Sequence, residues 1–319
     1  MPKLGLISNP RSHRNRRGLD GIQRAVADAP EVIHIATEAP HDLDAALLEM
    51  ARQEVGMLLI NGGDGTVQTV LTRILEDRPF ATVPYLAILA RGTANTTAAD
   101  VGLRGEPAAA VGRLLAAIRA GKAAEHLVER PILRLENLRG QGPQRGMMFG
   151  AGAIQDAIEL CCREVYARGL KGDLAIGVTL TGLLLGAGIR RRSHRVLRGH
   201  DIGVALDGDA EHRRSRLLVL ATTLDRLILG SRPFWNHDGR PIRYTSIGYP
   251  PVRLLRSVPK VLYGWRRPSL SPEAYDSRGA GRIDVRLDAP FTVDGETFEP
   301  LPDRPVLITA PDRLRFVRL

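Results

Sequence analysis

Three glycines within four positions, Gly62, Gly63 and Gly65, follow an apolar run over residues 55–60 and lead into a helix-like segment over 67–75. With Asn61, Asp64 and Thr66 they complete an Asn-Gly-Gly-Asp-Gly-Thr stretch that constrains the chain to strand, tight turn and helix. Glycine lets backbone N–H groups approach an anion, and a helix N-terminus adds free N–H groups and the positive end of its dipole. The spacing matches neither G-x-x-x-x-G-K-[ST] nor G-x-G-x-x-G. Taken alone, the stretch also fits an Asp-Gly turn with no ligand, so the neighbouring loops have to decide.

Those loops agree. Short apolar strands are expected at 4–8, 32–36 and 85–89, with helices at 19–29, 43–53 (Asp42 as N-cap) and 106–120, the last closed by Gly121. Strands alternating with helices argue for a parallel, doubly wound α/β sheet, in which ligands sit beyond the carboxyl ends of the strands. All four strands end in polar, Gly- or Pro-punctuated loops: Asn9, Pro10, Arg11 and Ser12 with His13; Thr37; Gly62 to Thr66; and Gly92, Thr93 and Asn95. A basic run, 14–17, stands beside the first. Four such loops on one rim favour an anion site over a set of plain turns.

Charge supports that reading, since the 319 residues carry a formal net charge of +10, largely from arginine. This suits a nucleotide, an anionic lipid surface or a nucleic acid, but aromatics at 4% leave few stacking platforms for single strands, and no nucleic-acid partner is expected. Cys161 and Cys162 are adjacent, which disfavours a structural disulfide, excludes zinc sites by count and favours a reducing, cytoplasmic setting. The N-terminus lacks a signal-peptide layout. The longest uncharged apolar stretch, 174–189, is 16 residues with four glycines, short of the roughly 20 that span a bilayer.

From about residue 129 short alternating runs replace helical periodicity, at 132–135, 147–154, 202–206, 217–222, 242–247, 283–287, 291–293 and 306–309. They indicate an antiparallel β domain with helical insertions at 156–168, 174–189 and 252–263. Two insertions suit an anionic membrane surface. Lys171 and Arg190, Arg191 and Arg192 flank 174–189, while Arg253, Arg256 and Lys260 lie beside apolar residues ahead of Trp265, Arg266 and Arg267. Both also read as core helices with solvated edges. Asp294-Gly295-Glu296 fits a hairpin turn; as a site, one carboxylate could take the proton from an attacking hydroxyl. The histidines, His194, His200, His212 and His237 among them, form no metal pattern, and no G-x-S-x-G elbow appears.

Asn9-Pro10-x-Ser12, Thr37, Gly62-Gly63-Asp64-Gly65-Thr66, Gly92-Thr93-x-Asn95 and Asp294-Gly295-Glu296, in this order and spacing, resemble the diacylglycerol kinase catalytic-domain family. These are soluble bacterial lipid kinases related to sphingosine and ceramide kinases. The glycine motif alone is shared with NAD kinases and 6-phosphofructokinases; Asp294-Gly295-Glu296 points to lipid kinases.

The resemblance implies an NAD kinase-like α/β nucleotide domain, 1–128, and an antiparallel β-sandwich lipid domain, 129–319. The active site would lie in the cleft between them, and the last strand would pack back on the first domain. It implies ATP contacts from Asn9, Pro10, Arg11, Ser12, His13, Thr37, Gly62, Gly63, Asp64, Gly65, Thr66, Val67, Gln68, Gly92, Thr93 and Asn95. Asp64 would help place Mg-ATP, Glu296 would be the general base, Asp294 would support it or bind Mg2+, and Asp238 would hold a second, structural Mg2+.

The chain departs from the family pattern at His13 (usually Gly), Thr69 (usually Glu), Thr96 (commonly Asp) and Ala90-Arg91 (commonly Pro-Leu). Arg91 and Arg14 offer added phosphate contacts. The expected activity is ATP-dependent phosphorylation of a lipid hydroxyl, on diacylglycerol or a related lipid alcohol, by a cytoplasmic protein peripheral to the inner membrane face. Anionic phospholipid is an expected partner, and a second copy of the chain, as a homodimer, is a further candidate. The alternatives are an NAD kinase-like enzyme on a soluble nucleotide and a catalytically impaired nucleotide-binding module at a membrane surface.

Overall fold

The computed structural model describes residues 3–160, 198–265 and 269–319. The expectations for Cys161, Cys162, Lys171, His194, the 174–189 insertion, Arg190 to Arg192, Arg266 and Arg267 lie outside the described residues, as does most of the 156–168 insertion. Two compact units are present, one comprising residues 1–130 with 313–319 and the other residues 131–312.

In the first unit β1(Lys3–Ser8), β2(Val32–Ala36), β3(Val55–Gly62) and β4(Tyr85–Ala90) form a parallel sheet in the order β2-β1-β3-β4. Phe316, near the end of β15(Val306–Val317), pairs in parallel with Leu86 of β4. β3 is buried along almost its whole length, as a parallel strand covered on both faces must be. One face carries Leu4, Leu6, Met57, Leu59, Ala87 and Leu89, packed under α1(Asp20–Val26) and α5(Pro107–Arg119). α2(Pro40–Arg52) and α3(Asp64–Thr72) also contact the sheet, so closely that a Cβ on Gly5 would stand 2.7 Å from the Met50 sulfur.

Local chemistry sets the helix ends. Glu106 caps α5 by accepting the Ala109 N–H at 2.9 Å, and Pro107 takes the first helical position, where its missing N–H is harmless. Asp42 is not the N-cap of α2. The helix starts earlier, at Pro40, and Asp42 sits in its first turn, reaching back to the N–H groups of Glu38 and Ala39 at 2.9 and 2.8 Å. A short helix, α4(Thr96–Val101), had no counterpart in the sequence reading.

The second unit is antiparallel. Strands β5(Leu127–Glu136), of which 131–136 belong here, β6(Gln144–Gly146), β7(Met148–Gly152), β8(His200–Leu206) and β9(His212–Thr222) are followed by β10(Ile242–Gly248), β11(Tyr275–Ala280) and β12(Arg282–Arg286). β13(Phe291–Val293) and β14(Glu296–Phe298) form a hairpin at one edge, and the order runs β14-β13-β7-β9-β8-β12 to the first part of β15. β10 pairs with both β9 and β11, and its register on β9 shifts between Ile247 and Gly248. Phe149, Val219, Tyr244, Ile283, Phe291 and Ile308 stand in one core cluster. Two α-helices lie among the described residues here, α6(Ala153–Leu160) and α7(Leu254–Tyr263). Val261 and Leu254 of α7 pack with Leu217, Ile247, Leu270 and Tyr275 in a smaller cluster. No helix among the described residues is long and apolar enough to cross a membrane.

Candidate active site

In the first unit three strand ends are tied into one rim. β3 runs to Gly62, Gly63 is the N-cap of α3, and Asp64 opens that helix. The first turn of any helix leaves its N–H groups without intrahelical partners, so the amides of Asp64, Gly65 and Thr66 are such donors. Asn9, just past β1, donates from Nδ2 to Thr66 Oγ1 at 2.9 Å, and its Oδ1 accepts the Arg11 N–H at 2.9 Å. Ser12 Oγ accepts the Gly63 N–H at 3.2 Å and stands 3.5 Å from Thr66 Oγ1. The Thr37 N–H, past β2, bonds the Ser8 carbonyl at 2.9 Å, and its side chain is buried.

The loop past β4 closes on the same rim. Asn95 holds Gly92 from both sides, accepting its N–H at 2.7 Å and donating to its carbonyl at 3.0 Å. Thr93 lies within this loop. Gly62 lies over Thr66, where a Cβ would meet the Thr66 side chain at 2.6 Å. Asp64 turns away from the open end of α3. Its carboxylate accepts the N–H groups of Thr96 and Thr97, at 3.0 and 3.1 Å, and so caps α4. Burial pushes its pKa up against the opposing pull of those donors. Val67 and Gln68 are buried, and the Gln68 amide donates to Thr72 Oγ1 at 3.2 Å.

One rim residue is hidden within the basic run. Asn15, 2% exposed, donates from Nδ2 to the carbonyls of Asn9 and Asn61 at 2.9 and 3.0 Å. Its Oδ1 receives Arg91 Nε at 2.6 Å, while Arg91 Nη2 donates to the Arg14 carbonyl at 3.0 Å. Arg91 is thus a brace between loops. Burial, and then the neighbouring Arg14 and Arg17 charges, lower its pKa, as expected where a rim gathers positive potential. Deeper in, Asn61 Nδ2 donates to Ser8 Oγ at 2.9 Å, and Asn61 Oδ1 is buried without a donor. The spacing of Asn15 and Ser8 from the glycines gave no local signal; only the fold brings them in.

In the second unit Asp294 and Gly295 are the two central residues of the β13–β14 hairpin, both at positive φ (49° and 89°). That geometry is a type I′ turn, which Asp-Gly favours. The Asp294 carboxylate is nearly buried and accepts the N–H groups of Met147 and Met148, each at 2.9 Å. Glu296 is exposed, and its carboxylate forms no hydrogen bond or ion pair among the described residues. Asp238, before β10, is exposed and pairs with Arg240 Nε at 3.1 Å. No group of three or more His, Cys, Asp or Glu side chains that could hold a metal occurs among the described residues.

No protein of curated function matches the chain. Three solved structures from Bacillus anthracis str. Sterne share its fold: one described as a diacylglycerol kinase (TM-score 0.61) and two as candidate diacylglycerol kinases (TM-scores 0.68 and 0.65). Each is 18% identical and is matched over 99% of this chain and 96–97% of its own. The sequence profile of the diacylglycerol kinase catalytic domain matches residues 3–125, the segment that carries the whole glycine rim. Over those residues the chain is similar to the diacylglycerol kinase catalytic-domain family.

Proposed function

We propose that the protein is an ATP-dependent kinase that transfers the γ-phosphoryl group to a lipid hydroxyl, of diacylglycerol or a related lipid alcohol. One observation carries the reading: within a kinase-family domain, the loops past β1, β3 and β4 are bonded together around the open N-terminus of α3. Phosphoryl transfer needs positioning and charge neutralisation more than covalent help. The α3 amides, the Ser12 and Thr66 hydroxyls and the basic residues beside them suit a triphosphate. Glu296, the unengaged carboxylate of the Asp-Gly-Glu turn, is assigned the acceptor's proton as its oxygen attacks the γ-phosphorus and the bond to the ADP oxygen breaks. Asp294 holds that turn through the Met147 and Met148 amides.

Magnesium accompanies ATP in such chemistry and neutralises charge on its phosphates. The three carboxylates expected to bind it are engaged otherwise, Asp64 and Asp294 with backbone donors and Asp238 with Arg240. They do not form a ready cage, so the metal would be held chiefly by the nucleotide's own oxygens.

The acceptor's location fits an exposed apolar surface in the second unit. Tyr249, Val252, Tyr263 and Trp265 are exposed around α7, beside Arg253, Arg256 and Lys260. Aromatic and aliphatic side chains mixed with cations suit the face of an anionic bilayer. Incubation with labelled ATP and a lipid extract tests the whole reading. Label should enter the organic phase. Label appearing in NADP would support the NAD kinase-like alternative, and vesicle cosedimentation without turnover the impaired module.

A further inference from the structure

Strand register places two arginines where a β core ordinarily has none. On the β8–β9 pair Ile202 faces Arg214 and Val204 faces His212, with His200 opposite Arg216. Cross-strand partners share a sheet face, and Ile202 and Val204 belong to the main core of the second unit. Arg214 and Arg216 therefore project on the core side. Across from them, on β10 and β11, Tyr244 pairs with Arg278 and Ser246 with Asp276. Residues of these four strands line an open cavity of about 740 Å3, with Val204, Leu206 and Tyr244 in its wall.

The charge in this cavity is unbalanced. Arg216 is 2% exposed; its Nε donates to Ser246 Oγ at 3.1 Å and its Nη1 to the Ile202 carbonyl, both neutral acceptors. Arg214 Nη1 donates to the Glu273 carbonyl at 2.8 Å, while its Nε is buried with no acceptor. Neither guanidinium has a carboxylate at ion-pair distance among the described residues. The acidic groups at the cavity are held by other cations or stand in solvent: Asp276 by Arg278 at 3.0 Å, Glu211 by Arg286 at 3.1 Å, with Asp209 exposed at the β8–β9 turn. Arg213 is satisfied by Asp201 at 2.8 Å, and His212 is exposed. Desolvation lowers the pKa of Arg216; Tyr244 and Asp276 oppose it, while Arg214 pushes the same way as burial. A buried cation whose hydrogen bonds go to neutral acceptors, and which shares the Asp276 carboxylate with Arg278, is costly unless a further anion joins it.

We propose that this cavity is an anion site, which takes a phosphate mono- or diester on Arg214 and Arg216 with any attached apolar group against Val204, Leu206 and Tyr244. The phosphate could be that of a soluble ester or of an anionic phospholipid headgroup. The site lies wholly in the second unit and does not depend on the kinase reading.

Titration calorimetry of the full chain with glycerol 3-phosphate and inorganic phosphate, and cosedimentation with phosphatidylglycerol against phosphatidylcholine vesicles, test it. At least one phosphate probe should bind the wild type. Arg214→Gln should weaken that binding about tenfold, by loss of a charged hydrogen-bond partner. Arg278→Gln should weaken it too, because it frees the Asp276 carboxylate within the cavity. Arg52→Ala, exposed at the end of α2 in the first unit, should leave it unchanged. Binding of the soluble probes alone that is weakened in both variants assigns a soluble ester; binding of phosphatidylglycerol vesicles alone that is weakened in both assigns the headgroup. If no probe binds, or if folded Arg214→Gln and Arg278→Gln bind as the wild type does, the proposal falls.

Discussion

Gly63 and Gly92 meet backbone to backbone. A Cβ on Gly92 would lie 2.6 Å from the Gly63 Cα, and a Cβ on Gly63 2.9 Å from the Gly92 Cα. The glycines past β3 and β4 are thus required by each other, whatever anion approaches them. Their contact brings the Gly63 turn and the Asn95 loop close enough for Asp64 to reach α4.

Gly92→Ala puts a methyl group against backbone that cannot rotate away. Overpacking of this kind costs about 1–3 kcal/mol. The variant should melt at lower temperature without any ligand and should also lose nucleotide affinity. Gly21→Ala, at a helical position where a Cβ meets nothing within 4 Å, is the control and should not be destabilised. A Gly92→Ala protein as stable as the wild type would mean the loops separate easily.

Asp64 gives a second, sharper test. Removing its carboxylate strands two buried N–H groups, each worth about 1–3 kcal/mol when unsatisfied. Asp64→Ala should therefore lower stability in the absence of nucleotide and metal, measured by denaturant melting, as well as abolish activity. Unchanged stability with lost activity would instead make Asp64 a ligand-only residue.

These two residues show where the sequence was legible. The apolar runs of β1, β3 and β4 and the Asp-Gly hairpin carry their own local signals, and each strand or turn lies where those signals place it. α4 does not: its six residues are capped by a carboxylate 32 positions away, so no local cap announces it. β11, Tyr-Asp-Ser-Arg-Gly-Ala, is absent from the expected strands because it is held by pairing with β10 rather than by apolar alternation. At the candidate site the loop positions of Asn9, Ser12 and Gly62 to Thr66 could be read, but the direction of the Asp64 carboxylate could not, since it depends on α4. Asn15 looked like a solvated member of a basic run, and tertiary packing buries it.

Asp294 and Glu296 should separate by their failures. Glu296 is exposed and unengaged, so Glu296→Gln should leave the melting curve unchanged while turnover falls about a hundredfold or more, as for loss of a general base. Asp294→Ala removes the acceptor of the Met147 and Met148 amides and should destabilise the second unit. A Glu296→Gln enzyme with wild-type turnover would remove the base assignment.

His34 ties pH to the stability of the rim. Its Nε2 lies 2.9 Å from Ser8 Oγ, the same oxygen that receives the Asn61 amide at 2.9 Å. With one lone pair taken by that amide, the hydroxyl can direct its own proton to His34 Nε2, which suits the neutral imidazole protonated on Nδ1. Burial lowers the His34 pKa below its ordinary 6.5. The unfolded chain then binds this proton near pH 6.5, whereas the folded chain resists it until lower pH. The contribution of His34 is therefore fully present above pH 6.5 and is lost as pH falls through the folded-state pKa. Melting temperatures recorded from about pH 7.5 down to about pH 5 should fall more steeply for the wild type than for His34→Gln, which cannot take up the proton. Parallel curves for the two proteins would show that the Ser8–His34 contact does not distinguish the protonation states of the ring.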